Sequence, residues 1–142
     1  MSGERDNTPV LIIVEGKNDR RRLRRILPDS VSIVLTYGIP SEERLDGIRK
    51  KAQHREVYIF TDADAAGRRI RGILAEAFPD AHHLHTKAGY HGVEATPLDY
   101  LAERLESVGL ETNYDAAADW SRVIMRSGRS MKSAKAINPA PR

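Results

Sequence analysis

The sequence contains no cysteine, and only 6% of its residues are aromatic. Without cysteine, neither disulfide bonds nor thiolate metal sites can form. No stretch approaches the ~20 consecutive apolar residues that a transmembrane helix requires. The polar residues 1–9 lack the apolar core of a signal peptide. These absences predict a soluble, cytoplasmic protein without a membrane partner.

The composition indicates one domain with a short basic extension. Of the 142 residues, 40% are hydrophobic and 30% are charged, and the formal net charge is only +3. The charge is unevenly distributed, because basic residues form clusters within residues 20–25 and 68–71 and dominate the chain after Asp119. The residues of that last cluster are Arg122, Arg126, Arg129, Lys132, Lys135 and Arg142. Such clusters suit polyanions, because each neutralised phosphate releases counterions, although each cluster is also consistent with a solvated face.

Apolar runs alternate with segments of helical periodicity along the first 110 residues. The patterns predict strands at residues 10–14, 31–35, 57–60 and 81–86, and helices at residues 19–27, 41–53, 65–78 and 97–108. Asn18 is the expected N-cap of the first helix. The alternation predicts an α/β fold of three layers, in which helices flank a four-stranded, mostly parallel sheet of order 2-1-3-4.

We place the domain boundary near residue 110. Residues 1–110 form the predicted domain, and residues 111–142 form the basic C-terminal extension. A short helix over residues 115–127 is expected there, followed by disorder. This extension is a candidate surface for nucleic acid or for a protein partner.

Two predicted strands end in acidic residues. Glu15 follows the first strand, and Asp62 and Asp64 follow the third. If these strands are neighbours, the three carboxylates share one small volume at the carboxyl edge of the sheet. Carboxylates this close require a cation, and oxygen ligands favour Mg²⁺, with Mn²⁺ as the substitute. A carboxylate that is not used as a ligand, most plausibly Glu15, is then available to move a proton.

The same edge offers groups for binding phosphate. Gly16 and Gly67 allow the backbone to approach a phosphate closely, and the start of the helix at residues 65–78 favours an anion. We add Lys17 and Arg68 as cations at this edge. The candidate nucleic-acid contacts of the extension are Arg122, Arg126, Arg129 and Lys132.

These motifs resemble the Toprim domain family, whose fold occurs in bacterial primases, topoisomerases and small nucleases. Residues 12–19 read Ile-Ile-Val-Glu-Gly-Lys-Asn-Asp, and residues 60–67 read Phe-Thr-Asp-Ala-Asp-Ala-Ala-Gly. They match the two family motifs, an apolar strand followed by Glu-Gly and a strand ending in Asp-x-Asp. The resemblance covers about residues 9–108. Within the family, the chain resembles stand-alone small Toprim proteins and the ribonucleases that mature the 5S ribosomal RNA precursor.

The resemblance implies Mg²⁺-dependent phosphodiester chemistry, with a nuclease as the expected activity. By this resemblance, Glu15 is the general acid/base and Asp62 and Asp64 hold the metal. Asp19 and Glu94 are additional acids, the latter within a Gly-Val-Glu segment like one in those ribonucleases. RNA and DNA both remain open as substrates. No segment resembles a topoisomerase strand-passage domain or a primase zinc module.

Three other kinds of protein share part of this sequence pattern. A non-catalytic Toprim module that binds nucleic acid or recruits a partner has the same fold. A phospho-receiver domain also gathers acids and Mg²⁺ at the ends of its first and third strands, but it carries an acid pair after the first. A nicotinamide dinucleotide fold would need Gly-x-Gly-x-x-Gly after that strand.

The histidine-rich segment suggests a polar edge strand rather than a zinc site. Only two of its three histidines share a face of a strand. These histidines are His82, His83 and His85.

Overall fold

The computed structural model describes residues 8–85 and 96–115. Four strands and four helices alternate along these residues. They are β1 (Val10–Val14), α1 (Lys17–Arg24), β2 (Val31–Leu35), α2 (Glu42–Ala52), β3 (Glu56–Phe60), α3 (Ala65–Ala77), β4 (His82–Leu84) and α4 (Leu98–Ser107). The strands form a sheet of order β2-β1-β3-β4 in which every pairing is parallel. The predicted fold class and strand order are therefore confirmed.

The central strand β1 explains why the first apolar run has no alternation. Ile12 pairs with Ile33 of β2 on one side and with Tyr58 of β3 on the other. Helices cover both faces of the sheet, so consecutive residues of β1 enter different cores. Ile12 packs in the core that includes α1 and α4, whereas Leu11 packs in the core that includes α2 and α3. Burial on both faces thus required an uninterrupted apolar strand.

The first helix begins earlier than the sequence predicted, and the expected cap is wrong. Gly16, in extended conformation, is the N-cap of α1, and its N–H donates to Asp19 Oδ2 at 3.1 Å. Asn18 therefore lies inside the helix, where its Oδ1 accepts a hydrogen bond from Arg21 at 2.8 Å. Gly16 thus holds the N-cap position that the sequence predicts for Asn18, and Asp19 supplies the reciprocal contact of a capping box. The helix also ends at Arg24, three residues before the predicted end.

The bounds of β1 and β2 match the prediction, and the remaining boundaries differ from it by at most two residues. Ser41 caps α2 by accepting the N–H of Arg44 at 3.1 Å.

The segment directly after Leu110 packs against the domain. The N–H of Asn113 donates to the carbonyl of Ile26 at 2.6 Å, and Tyr114 packs on the core. Of the described helices, none is both long and apolar enough to cross a membrane. The helix predicted over residues 115–127 and the basic tail lie outside the described residues.

Candidate active site at the carboxyl edge of the sheet

The two motifs meet where β1 and β3 end. These strands are neighbours in parallel register, with Ile13 opposite Ile59, so the residues that follow them emerge side by side. The backbone N–H of Asp62 donates a hydrogen bond of 2.7 Å to Glu15 Oε2. The two motifs, which the sequence predicts to be neighbours, are therefore in direct contact.

The environment of Glu15 opposes its ionisation. Burial raises the pKa of this carboxyl above its ordinary value of 4.5, and the negative charges of Asp62, Asp19 and Asp64 raise the pKa further. The hydrogen bond from the Asp62 backbone acts in the opposite direction, because it stabilises the carboxylate. A half-buried acid beside other acids is a typical arrangement at a catalytic or cation-binding site.

Glu15 and Asp62 line an open cleft of about 590 Å³. The cleft lies between the start of α1 and the loop that follows β2. Its lining residues are Glu15, Gly16, Lys17, Asn18, Asp19, Arg21, Tyr37, Gly38 and Asp62. Acids thus occupy part of the wall, while Lys17 and Arg21 supply positive charge. This mixture suits a phosphate that is bound together with a cation.

Asp19 is held in this cleft by its capping role. It is buried, with 9% of its surface exposed, and it accepts the N–H of Gly16. This contact fixes the backbone directly after Glu15. The extended backbone of Gly16 leaves open space where a Cβ would lie. The use of Gly16 for a close approach to phosphate stays a prediction, because the protein's own packing does not require glycine there.

Asp64 is oriented toward the helix that follows it. Its Oδ1 accepts the N–H of Gly67 at 2.7 Å, so Asp64 is the N-cap of α3. A Cβ on Gly67 would lie 2.1 Å from the carbonyl oxygen of Asp62. Glycine is therefore required for the start of α3 to pack against the Asp62 backbone. Its predicted contact with phosphate stays a prediction.

Replacing Gly67 with alanine should disturb this edge. We expect Gly67→Ala to lower the free energy of unfolding by about 1–3 kcal/mol, because the methyl group overlaps the Asp62 backbone. Gly72→Ala is the matched control on the same helix, where a Cβ meets nothing within 4 Å. That variant should gain about 0.5–1 kcal/mol, since alanine favours a helix interior. Urea denaturation measures the free energy of unfolding of both variants. Equal changes in the two variants would refute the packing role of Gly67.

Several arginines of the basic clusters within residues 20–25 and 68–71 donate hydrogen bonds to backbone carbonyls. Arg71 donates to the carbonyls of Leu84 at 2.6 Å and Thr61 at 3.2 Å, which joins the ends of β4 and β3. It also contacts His83 Nδ1 at 2.9 Å. Burial lowers the pKa of Arg71, and the Glu15 charge acts to raise it.

Sequence reasoning missed this structural role of Arg71. Its spacing on α3 could not reveal it, because the acceptors lie on two other elements.

Other members of these clusters are also engaged. Arg68 donates to the carbonyl of Ala63 at 2.6 Å. Arg22 donates to the carbonyl of Thr96, and Arg24 donates to those of Pro28 and Val31. Of the arginines in the first cluster, Arg20, Arg21 and Arg25 are exposed. The phosphate role assigned to Arg68 stays a prediction.

The donor chemistry of the site fits Mg²⁺, because Glu15, Asp62 and Asp64 offer only oxygen ligands. Burial raises the pKa of Glu15, and the negative charges of Asp62 and Asp64 add to that effect. Within residues 8–85 and 96–115, no three histidine, aspartate or glutamate side chains are grouped closely enough to hold a metal ion. The shared site of three carboxylates therefore stays a prediction, and Glu94 lies outside the described residues.

Similarity to known proteins assigns this chain to a family. The Toprim domain model matches residues 10–93, which include both motifs and the whole described sheet. The chain belongs to the Toprim family. A small TOPRIM domain protein from Bacillus stearothermophilus has a similar solved structure, with a TM-score of 0.69 and 33% identity, covering 75% of this chain and 90% of that one. This Toprim assignment leaves the phospho-receiver and nicotinamide alternatives without support.

Two curated relatives of this Toprim chain carry different names. The uncharacterized protein YusF of Bacillus subtilis is 32% identical over 108 residues, which cover 76% of this chain and 74% of YusF. Ribonuclease M5 1 of Ligilactobacillus salivarius is 35% identical over 104 residues, which cover 67% of this chain. The match spans only 55% of that ribonuclease. The chain thus spans about half the length of this ribonuclease.

Proposed function

We propose that this Toprim protein is a small Mg²⁺-dependent ribonuclease that hydrolyses phosphodiester bonds at the Glu15–Asp62 edge. The observation that carries the proposal is the contact between the two motifs, in which the Glu15 carboxylate accepts the Asp62 N–H inside a cleft lined by both acidic and basic side chains. The similarity to relatives named ribonuclease M5 supports RNA as the substrate class. The cleft of about 590 Å³ is open enough to admit a polymer backbone.

Glu15 is the proposed general base. The Asp62 N–H holds one oxygen of its carboxylate in place, so the group is oriented at the cleft wall. An oriented carboxylate with a raised pKa can accept a proton from an attacking water near neutral pH and later return it to the leaving oxygen. Asp19 keeps the Glu15–Gly16 backbone in position through its bond to the Gly16 N–H.

Asp62 and Asp64 are the proposed metal ligands, with Glu15 available as a third. Bound Mg²⁺ would neutralise the charge that develops on the phosphate oxygens. Lys17 and Arg21 at the cleft rim would hold the neighbouring phosphates of the strand. The tail residues Arg122, Arg126, Arg129 and Lys132 are proposed as further contacts to RNA. The proposed compartment is the cytoplasm.

A binding module without catalysis is the second candidate. Two observations favour it: the Asp64 carboxylate is engaged in capping α3, and the match spans only 55% of a ribonuclease relative. Such a module would use the same cleft and cations to hold nucleic acid or recruit a partner protein.

A substrate panel separates the two candidates. Structured RNA, duplex DNA and single strands of both are incubated with the purified protein in Mg²⁺, and the products are resolved on denaturing gels. We expect discrete cleavage of structured RNA. Salt-sensitive binding with no cleavage of any substrate, in Mg²⁺ or Mn²⁺, would favour the binding module instead.

A further inference from the structure

The loop between β2 and α2 places an aromatic ring beside the site. Tyr37 and Gly38 both have left-handed backbone conformations, with φ of 58° and 83°. This conformation is uncommon for tyrosine, and such residues are often found at functional sites. The N–H of Tyr37 donates to the backbone carbonyl of Glu15 at 2.9 Å. The loop is thus anchored to the same residue that supplies the proposed base.

The ring of Tyr37 contacts one arginine side chain and is otherwise largely exposed to solvent. Among the described residues, the exposed large hydrophobic side chains are Tyr37 and Ile39, at 59% and 51% exposure. The guanidinium of Arg44 lies over the Tyr37 ring, 4.5 Å from its centroid. A cation held against the ring restricts its motion. A supported ring with free surface is well suited to stacking on a nucleobase.

Two depressions meet at this ring. Tyr37 lines the cleft that holds Glu15, and it also lines a neighbouring groove of about 240 Å³ between α1, β2 and α2. The groove has three cationic side chains in its wall, those of Arg20, Arg44 and Lys51. Positive charge therefore continues from the cleft past Tyr37 and along the groove.

We propose that Tyr37 and this groove form a track for a single strand of nucleic acid that leads into the cleft. One base stacks on Tyr37, and the adjoining phosphates lie along Arg20, Arg44 and Lys51. A single strand is required because a base can reach the ring only when it is unstacked from its neighbours. The track deepens the proposed function, since it would position the strand whose phosphodiester enters the cleft.

Binding measured without turnover tests the stacking step. A fluorescein-labelled single-stranded RNA of 12 nucleotides is titrated with protein in EDTA, and anisotropy gives the dissociation constant. We expect Tyr37→Ala to weaken binding about tenfold, whereas Tyr37→Phe, which keeps the ring, should bind like the wild type. Wild-type affinity in Tyr37→Ala would overturn the proposal.

Two adjacent lysines test the groove. Lys50 and Lys51 are both exposed in the last turn of α2, but only Lys51 lines the groove. We expect Lys51→Ala to weaken binding and to reduce the slope of log affinity against log salt by about 0.7, the value for one phosphate contact to a single strand. Lys50→Ala should bind like the wild type. Equal effects of both substitutions would contradict the track.

Photo-crosslinking locates the base directly. RNA containing 5-iodouridine is irradiated with the protein, and the tryptic peptides are analysed by mass spectrometry. The crosslink is expected in the peptide of residues 26–44, in which Tyr37 is the sole aromatic residue. A crosslink found elsewhere, with this peptide unmodified, would overturn the assignment.

The outcomes distinguish this inference from the proposed ribonuclease activity. Binding in EDTA does not depend on cleavage, so the track is supported by these results even when no substrate is cut. Conversely, Glu15-dependent cleavage with unchanged binding by Tyr37→Ala and Lys51→Ala would refute the track alone. An equal loss of affinity for duplex RNA would also refute it, because paired bases cannot stack on Tyr37.

Discussion

Glu15→Gln should lower the single-turnover rate of RNA cleavage by about 10²–10⁴-fold, the usual effect of removing a general acid or base. Glutamine keeps an oxygen that accepts the Asp62 N–H, so the contact between the two motifs is preserved. It removes only the charge and the ability to accept a proton. RNA affinity should therefore remain near that of the wild type.

The control for this variant is Glu76→Gln. Glu76 is exposed near the end of α3, the end of the helix that lies away from Asp64 and the cleft. The substitution makes the same chemical change and should leave the rate unaltered. An unchanged rate in Glu15→Gln would mean that the measured cleavage arises outside the Glu15 site.

The double substitution Asp62→Asn, Asp64→Asn should abolish measurable Mg²⁺ binding. Asparagine at position 64 retains an oxygen that can cap α3 through the Gly67 N–H. The backbone N–H of residue 62 still reaches Glu15. The fold should therefore persist, while the metal loses two carboxylate ligands.

Calorimetry measures this effect with Mg²⁺, alone and with a short RNA oligonucleotide. The wild type should bind Mg²⁺ more tightly when RNA is present, because phosphate oxygens complete the coordination. The control is Asp29→Asn, Asp80→Asn, which removes the same charge from two exposed positions outside the cleft. Identical Mg²⁺ affinity in the two double variants would exclude Asp62 and Asp64 as ligands.

The fold and the meeting of the motifs follow from short-range patterns. The uninterrupted apolar run of β1 predicts a strand buried on both faces, and its central place in the sheet follows. Glu15 and Asp62 are then adjacent because parallel neighbours end at the same edge. The sequence therefore predicts the contact between Glu15 and Asp62 at the centre of the candidate site.

Most details that could not be predicted depend on contacts between segments that are distant in the chain. The start of α1 is the exception, because Asp19 accepts the N–H of Gly16, only three residues earlier. Arg71 binds the carbonyls of Thr61, directly after β3, and of Leu84 at the end of β4. Tyr37 lies beside the cleft because its backbone bonds to Glu15, 22 residues earlier in the chain. No periodicity or local motif encodes the contacts of Arg71 and Tyr37.

The metal dependence of RNA cleavage is the decisive property of a reaction at the Glu15–Asp62 edge. The wild-type protein is stripped of metal with EDTA, and the single-turnover cleavage of one structured RNA is followed before and after Mg²⁺ is restored. We predict no cleavage in EDTA and recovery of the rate with Mg²⁺ or Mn²⁺. Cleavage at the same rate in EDTA would contradict a metal-dependent reaction at the Glu15–Asp62 edge.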